Sequence, residues 1–169
     1  MGGVLIDELI LFSDHHAHNF PYGAKDVKYK NYHINSRLLA GCNVLRQIGD
    51  YAHANRIDKI VFAGDLFHVR EAVTTDVVYH TREAIRYMVR YNKKLYAIPG
   101  NHDYYDRFGH VHSLSMIADI PGVHVIDQRS ACKHVDLFGK RGDAYKIHFV
   151  PYTDDRNEAV KRLQAAGEA

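Results

Sequence analysis

Three short apolar segments of the chain each end in residues that can bind a metal ion. LILFSD ends in Asp14, and His16 follows two positions later. KIVFAGD ends in Asp65, and KLYAIPGN ends in Asn101. A mixed set of oxygen and nitrogen ligands of this kind suits Mn²⁺, Fe or Zn²⁺ better than a soft metal. The chemistry available to these residues depends on whether the three segment ends meet.

The third segment runs directly into the tetrapeptide Gly100-Asn101-His102-Asp103. Gly, Asn and Asp are common turn residues, so the tetrapeptide alone is consistent with an ordinary polar turn. It also places a possible metal ligand next to an imidazole that can exchange a proton. The combination predicts acid–base chemistry beside a metal site.

The apolar segments themselves predict buried strands. Continuous apolar runs at 9–14, 59–65 and 94–101 are typical of parallel strands covered on both faces. Apolar residues at helical spacing over 36–55 and 75–92 predict two amphipathic helices between them. Strand, helix, strand, helix, strand therefore predicts an α/β fold with two right-handed crossovers.

The pattern changes after residue 103. It predicts a short helix at 113–119, strands near 122–127, 133–139 and 145–152, and a final amphipathic helix at 155–166. No internal repeat or linker interrupts the chain, which has the length of one domain.

In an open parallel sheet, ligands bind beyond the carboxyl ends of the strands. Asp14, Asp65 and Asn101 are therefore expected at one edge, and His16 points the same way as Asp14 in an extended chain. Carboxylates gathered this closely repel each other unless cations lie between them. Two divalent ions roughly 3.5–4 Å apart, bridged by one carboxylate, resolve the repulsion, and Asp65 is the expected bridge.

The composition is that of a globular protein, with 46% apolar and 25% charged residues. A formal net charge of +2 neither demands nor excludes a nucleic-acid partner. Cys42 and Cys132 lie far apart, which favours reduced thiols and a cytoplasmic location over disulfides. We expect no signal peptide and no membrane association, since no apolar run approaches the ~18 residues of a membrane span.

The motifs D-x-H at Asp14, G-D at Asp65 and G-N-H-D at Asn101, in this order, resemble those of the calcineurin-like metallophosphoesterases. The resemblance implies a β-sandwich flanked by helices, with a dinuclear metal centre. It implies that Asp14 and His16 bind the first metal, that Asp65 bridges both and that Asn101 binds the second. His102 would stabilise the transition state or protonate the leaving oxygen.

Asp103 would then orient the imidazole of His102. Within the family, AGDLFH and IPGNHDYY look most like the DNA repair nucleases of the SbcD type and a phage recombination nuclease subunit. This implies DNA as substrate and two divalent ions, Mn²⁺ first, with Fe, Zn²⁺ or Mg²⁺ as alternatives. It also implies a homodimer, an SMC-like coiled-coil ATPase partner, and the cytoplasm of a bacterial cell or phage-infected host.

The chain departs from the family pattern downstream. In the family, a lone histidine and a G-H-x-H motif further along the chain complete the set of metal ligands. Gly109-His110-Val111-His112 matches G-H-x-H, but it follows Asn101 too closely. We interpret it as unrelated to the metal. His148 lies within a predicted strand, and we interpret it as a structural residue rather than the missing ligand. We therefore expect residues 1–169 to hold only the N-terminal part of the domain, with weak metal binding and little activity alone.

Two further groups are candidates for substrate binding. Residues 18–37 form a predicted long loop in which Lys25, Lys28 and Lys30 alternate with tyrosines, a mixture suited to phosphate contact and base stacking or to a simply solvated loop. His68, in GDLFH, could contact a substrate phosphate.

Other functions remain open at this point. A phosphomonoesterase or cyclic-nucleotide phosphodiesterase of the same fold would share the metal ligands. A partial domain could instead be a non-catalytic assembly module. The DHH phosphoesterases, suggested by residues 14–16, are disfavoured because they need aspartate motifs earlier in the chain.

Overall fold

The computed structural model describes residues 8–106, 111–130, 133–138 and 144–167, and His110 and Cys132 lie outside these ranges. Their elements, in chain order, are β1 (Leu9–Phe12), β2 (Asp26–Tyr29), β3 (Tyr32–Asn35), α1 (Ser36–Ala54), β4 (Lys59–Phe62), α2 (Thr75–Met88), β5 (Lys94–Ala97), a 3₁₀ turn (Ser113–Met116), β6 (Val123–Val125), β7 (His134–Phe138), β8 (Ala144–His148) and α3 (Arg156–Gly167).

A parallel sheet with strand order β1-β4-β5-β6 forms the centre of the fold. Leu9 pairs with Lys59 and Lys59 with Lys94, so the first three strands begin and end level with each other. The predicted strands and the crossovers through α1 and α2 are confirmed. A mixed α/β fold with a parallel central sheet follows.

Helices α1 and α2 cover one face of this sheet. Alternate strand residues such as Ile60, Phe62 and Leu95 point into a core shared with α1 and α2, and each is at most 1% exposed. Residue Gly49 of α1 lies against α2, where an added Cβ would be 2.6 Å from the Cα of Met88. The two helices pack so closely because this position lacks a side chain.

The antiparallel pair β7–β8 covers the other face. Val61 and Ile126 from the sheet side pack with Val135 and Phe149 in a second, smaller core. The strand residues alternate between these two cores, as expected for strands buried on both sides. His148 pairs with His134 across the ladder, 5.6 Å between ring centroids, in the predicted structural position.

The predicted long loop at 18–37 contains a β-hairpin. Strands β2 and β3 pair Val27 with Ile34 and Tyr29 with Tyr32, and these four side chains share the inward face. Lys28 and His33 face each other on the outer side. The turn places Lys30 at a φ of 56°, a conformation that the sequence did not reveal because no glycine marks it.

His112 directly precedes the 3₁₀ turn and is 5% exposed. Its Nε2 is 3.3 Å from Asp127 Oδ2, and the interpretation that His112 is unrelated to the metal stays a prediction. Burial opposes the charge of Asp127, but hydrogen bonds from Arg129 and His112 outweigh it and lower the pKa of Asp127 to about 2.

Helix α3 forms as predicted, but none of its described side chains is buried. Val160 is 46% and Leu163 61% exposed, so the apolar stripe of this helix lacks a described partner. Leu11, on edge strand β1, is 64% exposed. Within the described ranges, no helix combines the length and apolar character needed to cross a bilayer.

Candidate metal centre

The loops after β1 and β4 continue side by side beyond the ends of their strands. The amide of Asp14 donates to the carbonyl of Gly64 at 3.0 Å, and the amide of His16 donates to the carbonyl of Asp65 at 2.9 Å. A third bond joins Ala17 to Leu66. These bonds fix the two loops to each other, so the predicted ligands on them hold a set relative position.

Three of the predicted ligands have left-handed backbone conformations. The φ angles are 56° at Asp14, 48° at His16 and 65° at Asp65. Residues other than glycine adopt this region at a cost of about 1–3 kcal/mol each, and clusters of such residues are typical of functional sites. The interloop hydrogen bonds hold the strained backbone, which turns all three side chains to one place.

The side chains of Asp14, His16 and Asp65 offer ligand atoms that all lie within 4.8 Å of one another. Nε2 of His16 is 3.7 Å from Asp14 Oδ1 and 3.9 Å from Asp65 Oδ2. Two carboxylates and an imidazole at these separations match the donor set of a divalent metal of the Mn²⁺, Fe or Zn²⁺ kind. Within the described residues this is the group that fits an ion.

Asp65 is 8% exposed and its two oxygens have different surroundings. Oδ1 accepts a hydrogen bond from the amide of His102 at 2.9 Å, whereas Oδ2 faces His16. A buried carboxylate is stable only when it is paired or hydrogen-bonded. The His102 amide supplies one partner, and a cation at the Oδ2 side would supply the other.

The loops after β4 and β5 touch through two glycines. A Cβ on Gly64, whose φ is +98°, would lie 2.5 Å from the Cα and N of Gly100. A Cβ on Gly100 would lie 2.3 Å from Asp65 Oδ1. Neither position accepts a side chain, and this explains physically why a glycine precedes both Asp65 and Asn101.

Asp103 has a different role from the predicted one. Its buried carboxylate accepts hydrogen bonds from the amides of Asp65 (2.7 Å), Leu66 (3.1 Å) and Gly100 (2.9 Å), and from the hydroxyl of Ser113 (2.7 Å). Both oxygens are thus engaged in joining the loops after β4 and β5. The carboxylate holds the loop of the metal ligand rather than the imidazole of His102.

The imidazole of His102 is held by a backbone carbonyl. Its Nδ1 is 3.1 Å from the carbonyl oxygen of His68, and because a carbonyl can only accept, Nδ1 carries the hydrogen in this bond. The ring centroid of His102 lies 5.0 Å from that of His16. The predicted acid–base residue is therefore next to the metal-binding group, with Nε2 as the nitrogen left for proton exchange.

Further aromatic rings surround His68, which is exposed. His18 and Phe20 lie 5.3 and 4.9 Å from it, and His16 lies at 5.6 Å between ring centroids. Partial removal from water, together with His18, His16 and His102, lowers the pKa of His68. His18 and Phe20 were not predicted as neighbours of the site; their only signal in the sequence was their position just after the first ligands.

Asn101 and His15 are the chain neighbours of residues that contact Asp65 or form the metal-binding group. Asn101 is half-buried and is flanked by Gly100 and His102, both in contact with Asp65. His15 packs against Gly41 of α1, and burial, followed by the adjacent His16, lowers the pKa of His15 to about 4.

The lysines Lys25, Lys28 and Lys30 are exposed on or beside the β2–β3 hairpin. In the part of the chain that the structure describes, their ammonium groups form no hydrogen bond or ion pair with the metal-binding group. Tyr29 and Tyr32 are half-buried on the inward face of the hairpin. The predicted alternation of basic and stacking groups is therefore divided between two faces.

Comparison with known proteins identifies a family but no curated relative. A comparison with curated proteins finds no significant match. The family profile described as calcineurin-like phosphoesterase matches residues 8–161, which include every strand and helix start described above. Since this match spans most of the 169 residues and includes the Asp14, His16 and Asp65 group, the chain belongs to the calcineurin-like phosphoesterase family.

Proposed function

We propose that this chain hydrolyses phosphodiester bonds of DNA at a dinuclear centre of divalent ions, Mn²⁺ in the first place, as a nuclease subunit in DNA repair or recombination. The observation that carries the hydrolytic function is the convergence of Asp14, His16 and Asp65 ligand atoms within 4.8 Å, beside the acid–base residue His102. The similarity of AGDLFH and IPGNHDYY to nucleases of the SbcD type supports DNA as the substrate.

The predicted ligands are assigned to two metal ions. Asp14, His16 and Asp65 would hold the first ion, and Asp65 and Asn101 would hold the second. Bound divalent ions supply Lewis acidity toward the phosphoryl oxygens and lower the pKa of water. Asp103 and the paired glycines keep Asp65 in the orientation in which Oδ2 faces His16.

His102 serves the leaving group. With Nδ1–H donating to the His68 carbonyl, the protonated ring carries its exchangeable proton on Nε2 and can donate it to the leaving oxygen. A positioned general acid of this kind typically contributes roughly 10²–10⁴-fold to the rate. A ring N–H of His68 can donate one hydrogen bond to an oxygen of the substrate phosphate.

The hairpin lysines Lys25, Lys28 and Lys30 are proposed to contact the DNA backbone outside the cleavage site. Contacts of this type carry affinity without sequence preference and make binding salt-dependent. Changing all three to Ala should lower DNA affinity and flatten the slope of log Kd against log salt concentration.

The test of the function combines metal content with substrate choice. The purified chain, with Mn²⁺ added, is assayed on linear DNA, on bis(p-nitrophenyl) phosphate and on p-nitrophenyl phosphate. We expect weak Mn²⁺ binding and slow cleavage of the two diesters in preference to the monoester. Both should be lost in Asp65→Asn and retained in the control Asp136→Asn. Preference for the monoester would favour the phosphomonoesterase alternative.

A second candidate is an assembly module for a partner chain. The exposed apolar side chains Leu11, Val160 and Leu163 favour this role, because such residues commonly mark contact surfaces. The homodimer and the SMC-like ATPase belong to this proposal. Metal-free protein that forms a dimer in light scattering, and shows no hydrolysis with any divalent ion, would support it over the enzyme.

A further inference from the structure

A cleft of about 120 Å³ opens beside Asn101, the proposed ligand of the second metal. Its lining comes from Asn101 and the segment that follows it, from Arg70 in the loop after β4, from Gln128 after β6 and from the segment that follows β8. The cleft lies next to the reacting centre because Asn101 directly precedes His102. None of the residues assigned to hydrolysis, apart from Asn101, takes part in it.

Two exposed aromatic rings line this cleft. Tyr105 is 68% and Tyr152 is 46% exposed, although burial of a tyrosine ring would stabilise the folded protein. They come from segments almost fifty positions apart that the fold brings to one place. Aromatic rings displayed beside a nucleic-acid path are typical stacking surfaces for bases.

A third tyrosine points to a polar ligand. Tyr104 is 7% exposed, and its hydroxyl is buried without a hydrogen-bond partner among the described residues. Burial raises the pKa of Tyr104 to about 12; the Gln128 side chain beside it partly offsets this rise without reaching hydrogen-bond geometry. An unpaired buried hydroxyl is costly, and a ligand with an acceptor atom would satisfy it.

The charges of the cleft argue against a bare phosphate as the occupant. Arg70 is the cation of the lining, whereas Asp106 and Asp154 are acidic. Asp106 already accepts a hydrogen bond from the amide of Val111. A neutral ring with amino groups suits this lining, because carboxylates accept hydrogen bonds from the exocyclic amines of bases.

We propose that this cleft binds the nucleobase adjoining the scissile phosphate, stacked on Tyr105 and Tyr152, with its polar edge at the Tyr104 hydroxyl and its flanking phosphate at Arg70. The inference rests on the proposed function and deepens it, since it makes the enzyme select nucleotide diesters over simple ones. The site should bind any of the bases without sequence preference, because each base has a face that can stack.

The test measures stacking directly and does not require turnover. A phosphorothioate trinucleotide containing 2-aminopurine is titrated with the purified chain, with and without Mn²⁺, and the same trinucleotide with an abasic residue serves as competitor. The variants are Tyr105→Leu, Tyr152→Leu and Tyr104→Phe. Tyr51→Leu is the matched control, because Tyr51 is 61% exposed on α1 and does not line the cleft.

We expect wild type and Tyr51→Leu to quench the 2-aminopurine fluorescence and to prefer the base over the abasic probe. Each leucine variant should weaken binding roughly five- to 150-fold, the range for loss of one base–aromatic stack. Equal binding of the base-containing and abasic probes by the wild type would overturn the proposal. Quenching that survives in the Tyr105→Leu, Tyr152→Leu double variant would also overturn it.

Hydrolysis of bis(p-nitrophenyl) phosphate, which carries no base, separates the two proposals. If the chain cleaves this diester but does not distinguish the two probes, the phosphoesterase function stands and the base-binding cleft is wrong. If the probes are distinguished through the tyrosines but no diester is cleaved with any divalent ion, the hydrolytic function is wrong and the cleft is a nucleotide-binding site.

Discussion

The Asp103→Asn substitution tests how the fold holds the metal centre. It preserves the shape of the side chain and replaces one acceptor oxygen with an NH₂ group. The native carboxylate accepts bonds from the amides of Asp65, Leu66 and Gly100 and from the Ser113 hydroxyl, at 2.7–3.1 Å. At 1% exposure, water has no access to replace it.

The expected magnitude follows from these four bonds. If the remaining oxygen keeps the amides of Asp65 and Gly100, the NH₂ group lies against the Leu66 amide, while the Ser113 hydroxyl can rotate to accept from it. The buried N–H of Leu66 then lacks an acceptor. The other hydrogen bonds are weakened, because their acceptor is no longer charged. We expect the free energy of unfolding to fall by about 3 kcal/mol. Mn²⁺ affinity should fall roughly 10–100-fold, as is typical when a metal ligand loses its support.

Urea unfolding and calorimetric Mn²⁺ titration measure the two effects. Ser113→Ala, which removes one of the four bonds, should lower the free energy of unfolding by about 1 kcal/mol. Asp136→Asn, on the exposed side of β7, should change it by less than about 0.5 kcal/mol.

The role predicted from the sequence, in which Asp103 orients the imidazole of His102, leads to a different result. In that case Asp103→Asn would leave stability and metal affinity close to those of the wild type. It would instead shift the pH profile of hydrolysis, since the state of the imidazole would change. Such an outcome would refute the structural reasoning.

Three further predictions concern other parts of the fold. Gly64→Ala should lower the free energy of unfolding by more than about 2 kcal/mol and reduce Mn²⁺ binding, since its Cβ would meet backbone atoms at 2.5 Å. Gly167→Ala is the control, because a Cβ there would meet nothing within 4 Å; equal effects of the two substitutions would contradict the packing argument. Burial raises the pKa of Cys42 to about 11, so in a Cys132→Ser variant a thiol reagent should label Cys42 only after denaturation; rapid labelling of folded protein would count against it. Asp127→Asn should reduce the free energy of unfolding by about 2 kcal/mol at pH 7, because the folded pKa of about 2 lies below the ordinary 3.8. That contribution is present above pH 3.8 and is lost as the pH falls toward about 2. Urea unfolding across this range should therefore show the free energy of unfolding of the wild type approaching that of the variant. A difference between the two that does not change with pH would contradict this explanation.

Much of the central sheet and its ligands could be predicted from local sequence. The apolar runs ending at Asp14, Asp65 and Asn101 are strands because they are continuous, and helices separate them because the spacing changes to that of an amphipathic helix. Parallel strands have their carboxyl ends at one edge, so the convergence of Asp14 and Asp65 follows from topology.

Other features had little or no local signal. The β2–β3 hairpin was predicted as loop: its two-residue turn is Lys30-Asn31, and Asn31 is a weak signal because Lys30, not a Gly or an Asn, adopts the left-handed conformation. The exposed stripe of α3 was also not evident, because periodicity shows which residues share a face and not whether that face meets a partner.

The sequence by itself determined which groups can bind an ion and the order in which the strands present them. Only the tertiary structure decided which partner each polar group has: Asp103 bonds to the amide of Asp65, 38 positions away, and His102 to the carbonyl of His68, 34 positions away. The physical reason is that a strand or helix follows from neighbouring residues, whereas a buried hydrogen bond joins whichever donor and acceptor the packing of distant segments brings within 3 Å or so.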